Sequence, residues 1–236
     1  MSTIKISELP SAPANVNSIV PASDTSANVT NKVTIGSIIG LVPVVSGSGN
    51  SSVRGQASNA ASGDYSVSLG ENNVASGDYS TIIGGAEARA SHYGSLAHSS
   101  GSFSVLGDAQ HYVFISRNFT TDNTPTPLFL DGSVERLAMP TKSTWTFQIK
   151  LSAYNDTDNE AAGWIISGAI KNNNLNNTSL IGSTITYNWS DPSLSTASVI
   201  VGPDVINYAL DITVVGVSSK TIRWVAIVDV SQIIFG

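Results

Sequence analysis

The hydrophobic pattern changes character twice along the chain. From about residue 110 onward it is the pattern of strands. Thr144-Trp145-Thr146-Phe147-Gln148-Ile149-Lys150-Leu151 alternates strictly between apolar and polar positions, which marks a strand with one buried face. Trp164, Ile166 and Ile170 continue that spacing in the next run. Further β runs are expected at 112–119, 127–130, 178–189, 197–201, 206–217 and 221–230, punctuated by Pro125, Pro127, Pro140, Pro192 and Pro203. Seven or eight strands with turn signals over residues 110–236 predict an antiparallel β-sandwich or jelly roll, large enough to bury a core.

Between residues 46 and 109 the pattern is a repeat. Ala61-Ser62-Gly63-Asp64-Tyr65-Ser66 recurs letter for letter as Ala75-Ser76-Gly77-Asp78-Tyr79-Ser80. Gly70 and Gly84 keep the same 14-residue offset, and Tyr93 extends the Tyr65–Tyr79 column. Ser48-Gly49-Asn50-Ser51-Ser52-Val53 fits one period earlier, and a copy out of phase follows at 100–107. Fixed-period repetition is the signature of stacked architecture. Each unit offers a short extended stretch, a glycine corner, a second small-residue stretch and another corner. Successive rungs then pair as parallel strands, with Tyr65, Tyr79 and Tyr93 as a ladder.

Only nine Val, Ile or Leu residues fall between 46 and 110. So thin a roll buries too little to offset chain ordering, so an oligomer is expected, most simply a cyclic homotrimer with the rolls side by side. The repeat and its trimer contacts are assigned to Tyr65, Val67, Leu69, Gly70, Tyr79, Ile82, Ile83, Gly84, Tyr93 and Leu96. The bland alternative, a disordered Ser/Gly linker, gives no reason for Tyr at a fixed period. Residues 1–45 hold Pro10, Pro13, Pro21 and Pro43 and no helical periodicity as far as Asn31. They read as an arm, either disordered or ordering against a partner or sister chain. Within it, 32–40 suits a short strand or one helical turn begun at Thr34.

Composition narrows the function. Charged residues are 12% of the chain, and Ser, Thr and Asn fill about a third of it. Cysteine is absent, which excludes disulfides, thiolate metal sites and cysteine nucleophiles. A net charge of −6 with scattered cations makes nucleic acid an unexpected partner. Membrane insertion is equally unexpected, because no run approaches the roughly 20 apolar residues of a span. The opening residues carry no long apolar run, so no secretory leader is expected.

No Gly-x-Ser-x-Gly elbow, His-Glu-x-x-His or phosphate loop occurs, so the chain is not expected to be an enzyme, and no cofactor or metal is expected. Loop aspartates leave a glycan-cleaving carboxylate pair as a lesser alternative. Asp156, Asp158 and Glu160 follow a strand at alternate positions, a hard-oxygen set that suits Ca²⁺ if it is not merely a polar hairpin loop. His92 and His98 lie in the degraded repeat, where solvent-facing side chains are expected ahead of a metal on the trimer axis. Trp145, Trp164 and Trp224 read as core. Trp189, before Ser190-Asp191-Pro192, reads as the most exposed of the candidates for stacking on a sugar, which also include Trp164, Tyr154 and Tyr208.

The units carrying Ser-Val-x-Leu-Gly (66–70) and Ser-Thr-Ile-Ile-Gly (80–84) resemble the head repeats of trimeric autotransporter adhesins, which implies a left-handed parallel β-roll that exists only as a trimer. The likeness covers about 60 residues. Such adhesins carry a secretion signal, a stalk and a membrane barrel, none of which is seen. Lys5-Ile6-Ser7-Glu8-Leu9-Pro10, Ile19-Val20-Pro21 and Lys32-Val33-Thr34 instead resemble the N-terminal arms of bacteriophage tail fibre and baseplate proteins. Thr120-Thr121-Asp122 with Thr124-Pro125-Thr126, Leu128 to Ser133, Trp145 and 221–226 resemble the C-terminal β-domain of phage structural proteins. Together these imply a phage virion fibre: a docking arm at 1–45 for other tail or baseplate proteins, a roll shaft at 46–109, and a sandwich tip at 110–236 for a host cell-surface glycan. Alternatives are a virion protein with no receptor contact, or a glycan-cleaving tailspike.

Overall fold

The computed structural model describes residues 19–24, 29–34, 44–55 and 58–235. The chain divides into two units, 1–45 and 46–236. In the first, β1 (Ile19–Asp24) and β2 (Val29–Thr34) form an antiparallel hairpin, with Ile19 opposite Thr34 and Asp24 opposite Val29. The segment expected at 32–40 starts inside β2, and its remainder lies outside the described residues, as does most of the expected arm. β3 (Val44–Ser46) straddles the division.

In the larger unit the chain first winds into rungs, each with two short strands. β4 (Val53–Gly55), β6 (Val67–Ser68), β8 (Thr81–Ile82) and β10 (Leu96–His98) make one parallel ladder. β5 (Ala60–Ala61), β7 (Val74–Ala75) and β9 (Arg89–Ala90) make the other. The interior between the ladders is narrow, which is why small residues fill it: Ala61, Ala75 and Ala90 on one side, Ser66, Ser68, Ser80, Ile82 and Ala97 on the other, all buried. Asn73 carries the polar load there. Its Oδ1 accepts from the Ala88 N–H at 2.7 Å, and its Nδ2 donates to the Leu69 and Gly85 carbonyls at 2.6 and 3.1 Å. The rungs also approach closely: a Cβ on Gly63 would sit 2.1 Å from the Gly77 oxygen, and one on Gly77 would sit 2.3 Å from the His92 oxygen.

The repeat is not uniform. Val53, Val67 and Thr81 pair at steps of 14, but Thr81 pairs with Leu96 and Val74 with Arg89, a step of 15. The extra residue is at Gly84. The left-handed corner glycine that answers Gly70 (φ 96°) is Gly85 (φ 84°), so Gly84 does not hold the repeat position expected of it. The same slip puts Gly94 (φ 61°) at the left-handed corner occupied by Tyr65 (φ 56°) and Tyr79 (φ 58°), one residue after Tyr93.

Beyond the rungs come nine strands: β11 (Ala109–Thr120), β12 (Pro125–Pro127), β13 (Leu137–Ala138), β14 (Ser143–Asn155), β15 (Glu160–Asn172), β16 (Thr178–Ser190), β17 (Ser198–Asp204), β18 (Ala209–Val215) and β19 (Ile222–Ile234). The run expected at 206–217 is split, because 205–208 form a turn before β18. The large sheet runs β16-β15-β14-β19-β11 and continues through β10, β8 and β6 to β4. The antiparallel sheet therefore grows directly out of the rung ladder, across the expected 109/110 boundary. β12, β13 and β17 flank β18 in a small sheet.

The core lies between these two sheets. Alternation places Trp145, Phe147, Ile149 and Leu151 of β14 and Trp224, Ala226, Val228 and Val230 of β19 on the inner face, where they join Leu210, Ile212 and Val214 of β18. Buried indole N–H groups are satisfied: Trp145 Nε1 donates to Gln232 Oε1 at 2.8 Å and Trp224 Nε1 to Thr120 Oγ1 at 3.0 Å. All three tryptophans expected in the core are there.

The sandwich also closes the end of the rung stack. β11 adds to β10, and the Gln110 side chain serves as the missing next strand for β9. Its Oε1 accepts from the Arg89 N–H at 2.9 Å and its Nε2 donates to the Arg89 carbonyl at 3.0 Å. His92 falls at the column held by Gly63 and Gly77. No further rung stands beyond it, so a side chain fits where those glycines have no room.

Candidate functional site

The histidine expected to face solvent does not. The His92 ring packs edge-on against Tyr112, Phe114 and Trp145, with centroids 5.6, 5.2 and 6.2 Å away. Its Nε2 lies 2.7 Å from the Ala138 carbonyl, so that nitrogen carries the hydrogen, and its buried Nδ1 has no hydrogen-bond partner. Desolvation pushes its pKa below the ordinary imidazole range, against a smaller upward pull from the Ala138 carbonyl. His92 is a neutral pin between rungs and sandwich.

The residues assigned to the repeat separate into two groups. Tyr65 and Tyr79 stand half exposed with rings stacked at 5.2 Å, and Tyr93 tilts onto Tyr79 at 5.1 Å although it comes from a different backbone position. Val67 and Leu96 share one outward column with Val53 and Thr81. Ile83 is 68% exposed, Leu69 is half-buried, and Gly70 forms a corner. Ile82, by contrast, is fully buried within this one chain, because the pleat turns it inward beside Ser68 and Ala97. It belongs to the rung interior and offers no surface to a sister copy. More uncovered apolar side chains gather at the sandwich end of the rungs: Phe103, Val105, Ile233 and Phe235.

The three carboxylates after β14 do not converge. Asp158 meets the Lys220 ammonium and accepts from Asn155 Nδ2 at 2.8 Å; the Lys220 and Asn155 donors hold its pKa below the usual range. Glu160 Oε2 instead accepts the Ser193 N–H at 2.7 Å, and Asp156 is exposed. Among the described residues no group of three or more His, Asp or Glu side chains is placed to hold a metal ion. Likewise no described helix is long and apolar enough to cross a membrane.

The outer face of the large sheet is the most unusual surface. Cross-strand register puts Phe119, Arg223, Tyr154 and Ala161 in one row. The next row is Arg117, Val225, Ser152, Gly163 and Trp189. A third holds Ile115, Ile227, Lys150, Ile165 and Tyr187. Trp189 is 56% exposed, and its ring lies parallel to that of Tyr187 with centroids 5.1 Å apart. The middle row is floored by small residues at Ser152 and Gly163, so it forms a trough. A hollow of about 530 Å³ opens at its Arg117 end and one of about 640 Å³ at its Trp189 end. Sequence reasoning reached Trp189 and Tyr154 but missed Arg117, Arg223, Lys150 and Tyr187, which register alone brings into line.

No family model matches the chain, and no curated protein matches it. Solved structures that align with it include two phage tailspike proteins. The Acinetobacter baumannii phage AM24 tailspike protein is 10% identical, with a TM-score of 0.31 over 72% of this chain and 40% of that one. The Acinetobacter phage vB_ApiP_P1 tailspike protein is 9% identical, with a TM-score of 0.28 over 80% of this chain and 39% of that one. The chain thus spans about two fifths of each. Superposition at this level assigns neither fold nor function to it.

Proposed function

We propose that the chain is a phage virion protein of the tail-fibre type that acts as a homotrimer, its rungs forming a β-roll shaft, its N-terminal segment docking on the tail or baseplate, and its sandwich adhering to a glycan on the host surface. The observation that carries this reading is the apolar side chains left open along the rungs and at their end: Ile83 and Leu96, then Phe103, Val105 and Phe235, with half-buried Val53 and Val67 in the Leu96 column. Large apolar side chains left open together mark an interaction surface. Sister copies packed on that side cover it without any change of fold. Adhesion is supported by the open Tyr187–Trp189 pair, since exposed aromatic rings stack on sugar faces. Three tips on one shaft multiply a weak contact through effective concentration.

A second reading, a virion structural protein with no receptor contact, is favoured by the apolar Ile115 and Ile227 on the same outer face, which a neighbouring virion protein would cover. Glycan-array binding of the full chain separates the two. The adhesive reading expects binding that Trp189→Ala abolishes at unchanged oligomer mass. Absence of binding to any glycan selects the structural reading.

A further inference from the structure

We infer that the trough across the outer sheet face binds an acidic glycan, with Arg117, Arg223 and Lys150 meeting its carboxylates and Tyr154 and Trp189 its sugar rings; this rests on the adhesive reading above. The three rows contain three cations and no carboxylate, in a chain of net charge −6 with only 11 Lys and Arg in all. Cations gathered on one face of an acidic protein, with no ion pair among the described residues, favour an anionic ligand over a neutral one.

The neighbouring acids are already engaged. Asp229, one row beyond Lys150, lies 3.1 Å from His111 Nε2. Asp131 also lines the hollow at the Arg117 end, but its Oδ1 is taken up by the N–H groups of Ser133, Val134 and Glu135. Asp191 lines the hollow at the Trp189 end, where its carboxylate accepts the Ala161 N–H at 2.9 Å. Arg223 and Lys150 have no ion pair among the described residues.

Arg117 is held in place. One Nη donates to the Leu130 carbonyl at 3.2 Å and the other to the Asp131 carbonyl at 2.7 Å. A guanidinium has five N–H donors, so the rest remain for a carboxylate, and the planar fork suits one bidentately. Arg223 stands between Phe119 and Tyr154 on the adjacent strands, a charge flanked by two ring systems. From β11 to β16 the trough crosses four strand intervals, about 19 Å at about 4.8 Å each, the length of a short oligosaccharide. Gly163, beside Trp189 in the floor, keeps that end open, and a Cβ there would meet only the Leu151 oxygen, at 3.6 Å.

The test is an array of uronate- and sialate-bearing glycans, their carboxyl-reduced counterparts and a single-stranded DNA oligomer, probed with the full chain. The variants are Arg223→Gln with Lys150→Gln, which change only outward side chains, and Gly163→Tyr, which fills the trough. The inference expects acidic glycans to bind, their reduced forms to bind about tenfold or more weaker, and both variants to lose about tenfold or more. Equal binding of acidic and reduced forms, or unchanged affinity in both variants, would overturn it. So would DNA binding as tight as that of the best acidic glycan. Neutral glycans binding alone, in a manner lost with Trp189→Ala, would overturn this inference while sparing the adhesive reading. No glycan binding of any kind would overturn both.

Discussion

Replacing His92 by Phe tests how the rungs are joined to the sandwich. The ring sits among Tyr112, Phe114 and Trp145, with no ion pair to a carboxylate among the described residues, and burial depresses its pKa. In the unfolded chain it titrates near about pH 6.5. The stability that neutral His92 contributes is therefore complete above that pH and is lost as pH falls towards the depressed folded-state value, because only the unfolded chain then takes up the proton. The loss approaches about 1.4 kcal/mol for each pH unit below about 6.5. For a chain of this size that is a fall in Tm of about 3–6 °C per pH unit. His92→Phe keeps the ring packing and removes both the titration and the bond to Ala138, at a cost of about 1 kcal/mol near pH 8. Thermal melts of both proteins between pH 8 and pH 5 measure the difference. The variant should start lower and fall less, so the two curves converge in acid. Parallel curves, or a His92 that titrates at or above the ordinary value by NMR, would refute the reasoning.

Three further outcomes follow from the rung geometry. Gly77→Ala places a Cβ 2.3 Å from the His92 oxygen, a backbone atom that cannot yield, and should cost about 2 kcal/mol or more, whereas Gly84→Ala meets nothing within 4 Å and should stay within about 0.5 kcal/mol in denaturant melts. Asn73→Ala orphans the Ala88 N–H and the Leu69 carbonyl and leaves the Gly85 carbonyl with only the Glu71 N–H, and should destabilise by about 2 kcal/mol or more by the same measurement. Burial raises the Asp108 pKa, but the N–H groups of Val105, Phe103 and Ser104 outweigh it and hold the carboxyl below the usual range. Asp108 thus stabilises the fold above about pH 4 and loses that effect in acid. Asp108→Asn should lower Tm at pH 7 and flatten the drop between pH 5 and pH 3.

Strands with one buried face were readable because alternation carries both their type and their inward residues. Thr144 to Leu151 gave β14 with Trp145, Phe147 and Ile149 inside, as found. The Tyr column was readable too, but the insertion at Gly84 was not. A single glycine is lost among small residues, and only pairing shows that Thr81 meets Leu96 at a longer step. His92 and Gln110 were missed for a different reason. Each completes the edge of one structure with a side chain from another, and neither has a local sequence signature. The outer trough was hidden likewise, since Arg117, Arg223, Lys150 and Trp189 lie on four strands far apart in sequence. Ile82 was misassigned because Ile82 and Ile83 look alike in sequence, and only the pleat separates inside from outside.

The shaft is the centre of the account, and its native mass in solution tests it most directly. Light scattering coupled to size exclusion should give three times the 24.5 kDa of one chain, in an elongated particle. A compact species of 24.5 kDa, stable on dilution and folded by circular dichroism, would contradict it.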